Sequence, residues 1–468
     1  MQEEIKSYRL FKNSKYMVGC IPAIIIITII AGYICTRVFF VNYELEYAIY
    51  TIISIISTSL LLYLVNSKSI KTIYFVFIVL FFVSYILKFY VMIYVTYFND
   101  VVIYKLVLFS PKILKYMGQE NLINAFKITS ITYFCLSILA SVDFRTISDK
   151  SKQIYQQRRI ASKSNIVAMC VVVLIFFFVI SLARKLLSEN NQDSYFIVLS
   201  TYFVPLMFIY LLNASLVSGY FSLSKSISYM FILIGLIQFA IFTSKLYVVL
   251  PFVWVIIFQF TYKVKIINNK LMILLSIPLI VLYPILNIYR EASLDGGAHV
   301  LISVLDRFME AEGNYIISGI LSILYRLVGI ESLLVLIAEK STAYANYGLV
   351  SVLTQEQSIT QILTYDILGY DFVMGVAPTL LGQAYFITGS TVISSIVVVA
   401  YVYLVSNIYR KLICQSSILI KTLVIYFVLY SVVFFNEGIL LSSLKYQLFG
   451  IIMFILFHHL FSTKKIKL

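Results

Sequence analysis

Of 468 residues, 61% are hydrophobic and only 12% are charged, about half the ~25% charged fraction of an ordinary soluble domain. Apolar runs long enough for the ~20 residues of a spanning helix recur along the whole length, so a single integral membrane domain over residues 1–468 is expected and a sizeable soluble domain is excluded. The net charge of +15 is not gathered into a basic run interleaved with aromatics, which argues against nucleic acid as a partner; orientation in the bilayer accounts for it.

The N-terminal stretch MQEEIKSYRLFKNSK precedes an apolar run, 17–36, with no A-x-A cleavage site after it, and reads as an uncleaved first span. Further spans are predicted at 46–65, 73–95, 122–142, 164–183, 195–213, 227–243, 246–262, 271–289, 380–405, 422–436 and 443–461, giving an all-α polytopic fold of about twelve transmembrane helices. Lys6, Arg9, Lys12 and Lys15 place the N-terminus in the cytoplasm. On that choice the basic loops around Lys68 and Lys71, Arg145 to Lys163, Lys263 to Lys270, and Arg410 and Lys411 all fall inside, as does the tail with Lys464, Lys465 and Lys467.

The same parity puts residues 290–379 outside as one large loop. It holds ten of the chain's 21 acidic residues and four basic ones, Arg290, Arg307, Arg326 and Lys340. Its segment YIISGILSILYRLVGIESLLVLI, 315–337, is apolar but carries Arg326 and Glu331 near its middle. Counting it as a span would turn the basic tail outside, so it is expected to lie on, or dip into, the outer face, where protein or water covers irregular backbone. A loop this long and this apolar is where chemistry is expected.

Cys20, Cys35, Cys135, Cys170 and Cys414 fall singly, without metal-type spacing, and are expected to be free buried thiols. Nucleotide-binding, zinc-hydrolase and nucleophile-elbow motifs are missing, so no nucleotide-driven step, cofactor or metal is expected. Ion-coupled transport needs ionisable groups inside spans. Lys88 and Lys127 lie close enough to span ends to snorkel, and no acid falls within a predicted span interior. His458 and His459, about 100° apart around a helix, are read as structural.

What remains is a set of cations at the outer face. Lys245 sits in the tight hairpin FTSKLYV, Arg290 ends a span, and Arg326 lies within the apolar part of the loop. Arginine forks hold phosphate oxygens bidentately, so these three form a candidate diphosphate site; the competing reading is that each snorkels to the interface. In GVAPTLLGQAYFITGS, 375–390, glycines and a proline admit close approach of backbone to a ligand, and Gln383 and Tyr385 offer hydrogen bonds for substrate. The alternative for this stretch is a helix-packing patch of small residues.

Four segments in order, TSKLYVVLPF, PILNIYREA, YRLVGIESL and APTLLGQAYFITG, together with the single external loop, resemble the O-antigen polymerases, or oligosaccharide repeat unit polymerases, of bacterial surface polysaccharide assembly. They span about 243–390; the first half is similar only in hydropathy. Lys245 stands where the family has an arginine, and Gln383 where an acid is common. The resemblance implies an architecture similar to GT-C-type glycosyltransferases and a glycosyltransferase without metal or nucleotide sugar, acting on polyprenyl diphosphate-linked oligosaccharides at the outer face of the cytoplasmic membrane. Its expected product is O-antigen, capsule or exopolysaccharide. Its expected partners are membrane lipid, a chain-length regulator and a flippase. Arg290 and Arg326, with Lys245, would stabilise the departing diphosphate, and Glu331, with His299 and Asp306 behind it, would accept the acceptor-hydroxyl proton. The alternatives are the related O-antigen ligase and, from another class, a lipid-linked oligosaccharide flippase. A flippase needs no long external loop and usually places its charge in a central cavity.

Overall fold

The computed structural model describes residues 20–66, 72–97, 111–142, 162–187, 202–242, 329–339, 362–369, 379–413, 417–438 and 441–463. Among these, every regular element is a helix and no strand occurs. Helix α1 covers 20–36 and passes through a 3-10 segment, Arg37–Tyr43, into α2, Glu44–Asn66. Next come α3 (Thr72–Phe81), a π-helical turn (Phe82–Leu87) and α4 (Lys88–Tyr97), which are continuous in direction and form one long element. A 3-10 segment, Pro111–Tyr116, leads to α5, Gln119–Val142. The chain then forms α6 (Lys163–Leu187), α7 (Val204–Val217) and α8 (Phe221–Phe242). After these come α9 (Ile330–Ala338), a second π turn (Ile362–Ile367) and α10 (Leu380–Thr388). The last three helices are α11 (Thr391–Leu412), α12 (Ile418–Glu437) and α13 (Leu441–Thr463).

Among the described residues, six helical stretches are long and apolar enough to cross a membrane: Cys20–Val65, Ile73–Tyr94, Gln119–Val142, Lys163–Ile180, Thr391–Leu412 and Ile418–Asn436. The first, at 46 residues, would be about 69 Å long if straight, more than twice the ~30 Å hydrocarbon core. It is not straight. Phe40 leaves helical geometry (φ −106°, ψ 39°), the Thr36 and Tyr47 hydroxyls meet at 2.6 Å, and the Tyr33 and Tyr47 rings lie 5.2 Å apart. The chain therefore turns sharply between two helices where sequence hydropathy places its first two spans.

Side-chain register gives the helix directions. Tyr47 against Phe126, Ser54 on Ser130 and Thr58 on Tyr133 advance together, so α2 and α5 run parallel. Phe81 against Tyr133 and Phe89 against Phe126 advance oppositely, so the α3–α4 element runs antiparallel to α5. Those are the directions that alternate crossings dictate.

Among those six stretches the α3–α4 element is the most buried, at 67% of its apolar window against 22% for Cys20–Val65. Its Tyr74, Phe77, Phe81, Tyr85 and Phe89 side chains are sealed in the core. Helix α5 packs between it, α2 and α11. The outer helices instead present bands of bare hydrocarbon, such as Ile24, Ile27 and Ile34 on α1 and Ile175, Phe178 and Val179 on α6. Contiguous exposed aliphatics on this scale suit lipid, not water.

Several sequence expectations change. The span predicted at 380–405 is two helices: Gly389 closes α10 in the left-handed conformation (φ 60°), and the Ser390 side chain caps α11. Hydropathy misses this break because both halves are apolar. Cys20 and Cys35 are exposed rather than buried, while Cys135 is half-buried and Cys170 buried; all four are free. An apolar run on a spanning helix can face lipid as readily as protein. The predicted spans at 246–262 and 271–289 lie outside the described residues.

Candidate functional site

Lys88 does not snorkel. It follows the first π turn about six residues, or ~9 Å along a helix, from the Tyr94 end of its span, and both it and its ion-pair partner Glu331 are completely buried. Glu331 is in the first turn of α9, where a carboxylate also suits the positive end of the helix. The pair therefore joins two segments 243 residues apart in sequence.

Close backbone approach makes the pairing possible. Gly329, just ahead of α9, packs against the π turn so tightly that a Cβ would lie 2.3 Å from the Ser84 carbonyl oxygen. The Ser84 hydroxyl donates to Asn436 Oδ1 at 3.0 Å, near the end of α12. Tyr85, also in the π turn, donates its hydroxyl proton to Thr379 Oγ1 at 2.6 Å. Thr379 in turn accepts from the Gly382 N–H at 3.1 Å, capping α10. The residue holds φ 56° and ψ 163°, a conformation that favours glycine and costs of order 1–3 kcal/mol for other residues. Tyr85 and the cap hold it there.

Helices α9 and α10 then meet each other. A Cβ at Gly382 would lie 3.3 Å from Leu336 Cδ1 and 3.7 Å from Ser332 Oγ, so Gly382 serves helix packing. Along α9 every side chain from Ile330 to Leu336 is buried, and at nine residues the helix is only about 14 Å long, less than half a bilayer core. Its far end is fixed by the Tyr116 hydroxyl, which donates to Glu339 Oε1 at 2.9 Å. Burial and the adjacent Glu339 carboxylate push the Tyr116 hydroxyl up, so it stays a protonated donor. Nearby, Lys112 Nζ donates to the Gly369 carbonyl at 2.6 Å.

Of the residues singled out from sequence, the structure brings Glu331, Gln383 and Tyr385 into this buried region; Gln383 and Tyr385 lie on α10, both largely covered. Lys245, Arg290, His299, Asp306 and Arg326 lie outside the described residues. Lys127 is exposed on α5. The His458 ring packs edge-on against Tyr210, 5.4 Å between centroids. Among the described residues no group of three His, Cys, Asp or Glu side chains is placed to hold a metal ion. Sequence reasoning missed Lys88, Tyr85, Thr379 and Asn436. Lys88 alone carried a signal, a charge inside an apolar run, which nearness to the span end disguised.

One prediction concerns the cap. Thr379→Ala removes the N-cap of α10 and the acceptor of Tyr85, and should lower thermal stability by about 1–2 kcal/mol; an unchanged melting midpoint of the purified protein would contradict it.

The arrangement is that of a multi-pass helical membrane protein with a polar cluster buried where α9 packs on a π turn and the N-cap of α10 is hydrogen-bonded to it. Comparison with known protein families, with characterised proteins and with solved structures finds no match.

Proposed function

We propose that the protein polymerises polyprenyl diphosphate-linked oligosaccharide repeat units at the outer face of a bacterial cytoplasmic membrane. In this reading the chain crosses about twelve times, with both termini in the cytoplasm. The glycosidic bond from the growing chain to its lipid diphosphate breaks, and polyprenyl diphosphate departs with the electron pair. A hydroxyl of the next lipid-linked unit forms the new glycosidic bond and gives its proton to a base.

One observation supports this most: YRLVGIESL and APTLLGQAYFITG, two of the segments that carry the resemblance, contribute the start of α9 and the length of α10, which pack against each other, α9 also lying on the first π turn and the N-cap of α10 hydrogen-bonded to it through Tyr85. The cluster also lies toward the end of the bundle where α4 ends and α5 begins, which the charge pattern assigns to the outside. Arg290 and Arg326, assisted by Lys245, hold the departing diphosphate. Glu331 accepts the hydroxyl proton, with His299 and Asp306 as further candidates, and Gln383 and Tyr385 hydrogen-bond the sugars. Lipid-linked oligosaccharide and membrane lipid are then its partners, with a chain-length regulator and a flippase in the same assembly.

Arg290→Ala and Arg326→Ala should each reduce chain extension by about 10²–10³-fold while leaving the protein in the membrane, as read by electrophoresis of surface glycan and immunoblotting of membranes. Normal polymer length in both variants would remove the diphosphate assignment.

A further inference from the structure

We propose that Lys88 is a positioning residue for this reaction, aiming the Glu331 carboxylate, and that Tyr85 acts in the same way through Thr379 on the first turn of α10. The inference rests on the polymerase reading and extends its site into the N-terminal half, where the sequence carries no motif.

Holding α9 in place does not by itself require charge. Apolar residues of similar volume usually replace a buried ion pair without loss, because neither charge then has to leave water. Yet both charges are here, fully buried, where α9 comes closest to the π turn. Two further costly features converge on the same turn. The π-helical segment Phe82–Leu87 interrupts the buried α3–α4 element, and Thr379 holds a backbone conformation disfavoured for its type. Departures of this kind cluster at functional sites. One turn of one helix thus orients both segments through side chains three residues apart: Lys88 on Glu331 and Tyr85 on Thr379. A carboxylate that is to meet an acceptor hydroxyl needs its place set to a fraction of an ångström. A pair in the interior, supported by Gly329 against the Ser84 carbonyl, sets it.

The test compares full-length variants for membrane abundance, thermal midpoint in detergent, and surface-glycan chain length. The neutral double variant Lys88→Met/Glu331→Met should accumulate and melt like the wild type, yet lose chain extension by about 100-fold or more. Lys88→Arg should retain extension. Long chains made at the wild-type level by the neutral double variant would overturn the inference, since the pair would then only join helices. Should that variant fail to accumulate, Lys88→Arg/Glu331→Asp decides: the longer guanidinium restores the pair while the carboxylate sits one methylene back. Normal stability with extension down at least about tenfold supports positioning, and undiminished extension overturns it. A gene deletion that leaves surface glycan unchanged refutes the polymerase reading together with this inference. Loss of long chains on deletion, with their retention in the double variant, refutes the inference and the role of Glu331 as proton acceptor while leaving the polymerase reading in place.

Discussion

Replacing Lys88 with methionine on its own is expected to destabilise the protein by about 3–5 kcal/mol, the usual cost of removing one partner from a buried ion pair. The reason is the group left behind. Glu331 is buried in the first turn of α9, where taking away the neighbouring ammonium leaves a carboxylate that burial has already stripped of bulk solvent. The carboxylate must then stay charged without its lysine, take up a proton, or pull α9 away from the π turn. Lost packing does not explain so large an effect, because methionine fills most of the volume of the lysine stem and is itself apolar. Adding Glu331→Met should therefore recover most of the loss. Thermal unfolding of the purified single and double variants measures this directly. A single variant as stable as the wild type would show that the two charges do not depend on each other.

Gly329→Ala is expected to be the most damaging single methyl group that can be added near the site. The new carbon would sit 2.3 Å from the Ser84 carbonyl oxygen and 2.8 Å from its carbon. Those are backbone atoms of the π turn in the α3–α4 element, so no rotamer change relieves the clash. Either α9 or the π turn moves by the order of an ångström, and the Lys88–Glu331 pair moves with it. Overpacking of this kind costs typically 1–3 kcal/mol, occasionally more. Gly382→Ala provides the control. There the added carbon meets side-chain atoms, Thr379 Oγ1 at 3.2 Å and Leu336 Cδ1 at 3.3 Å, which can give by a few tenths of an ångström. Gly329→Ala should thus fall well below Gly382→Ala in membrane abundance and thermal midpoint; equal behaviour would contradict the backbone contact.

Much of the helix layout was legible in sequence because hydropathy reports it directly. Runs predicted at 46–65, 73–95 and 122–142 correspond to α2, to the α3–α4 element and to α5. The break at Gly389 and Ser390 was not read, since apolar residues flank it on both sides and only cap geometry marks it. The site was legible in part. Glu331 stood out as an acid in an apolar segment, and Gln383 and Tyr385 as polar residues beside glycines. What they pack against was hidden, because Lys88 and Tyr85 are distant in sequence and no local pattern encodes a pairing across 243 residues. The π turn was hidden as well: FVSYIL has the composition of any spanning helix.

Electrophoresis of surface glycan from cells lacking the gene, beside cells carrying it on a plasmid, tests the central claim most directly. Loss of the ladder of long chains, with single repeat units still transferred to the acceptor and the ladder restored by the plasmid, is the result expected of a polymerase. An unchanged ladder would contradict the account, as would full-length polymer retained on its lipid carrier or the disappearance of every externally accessible repeat unit.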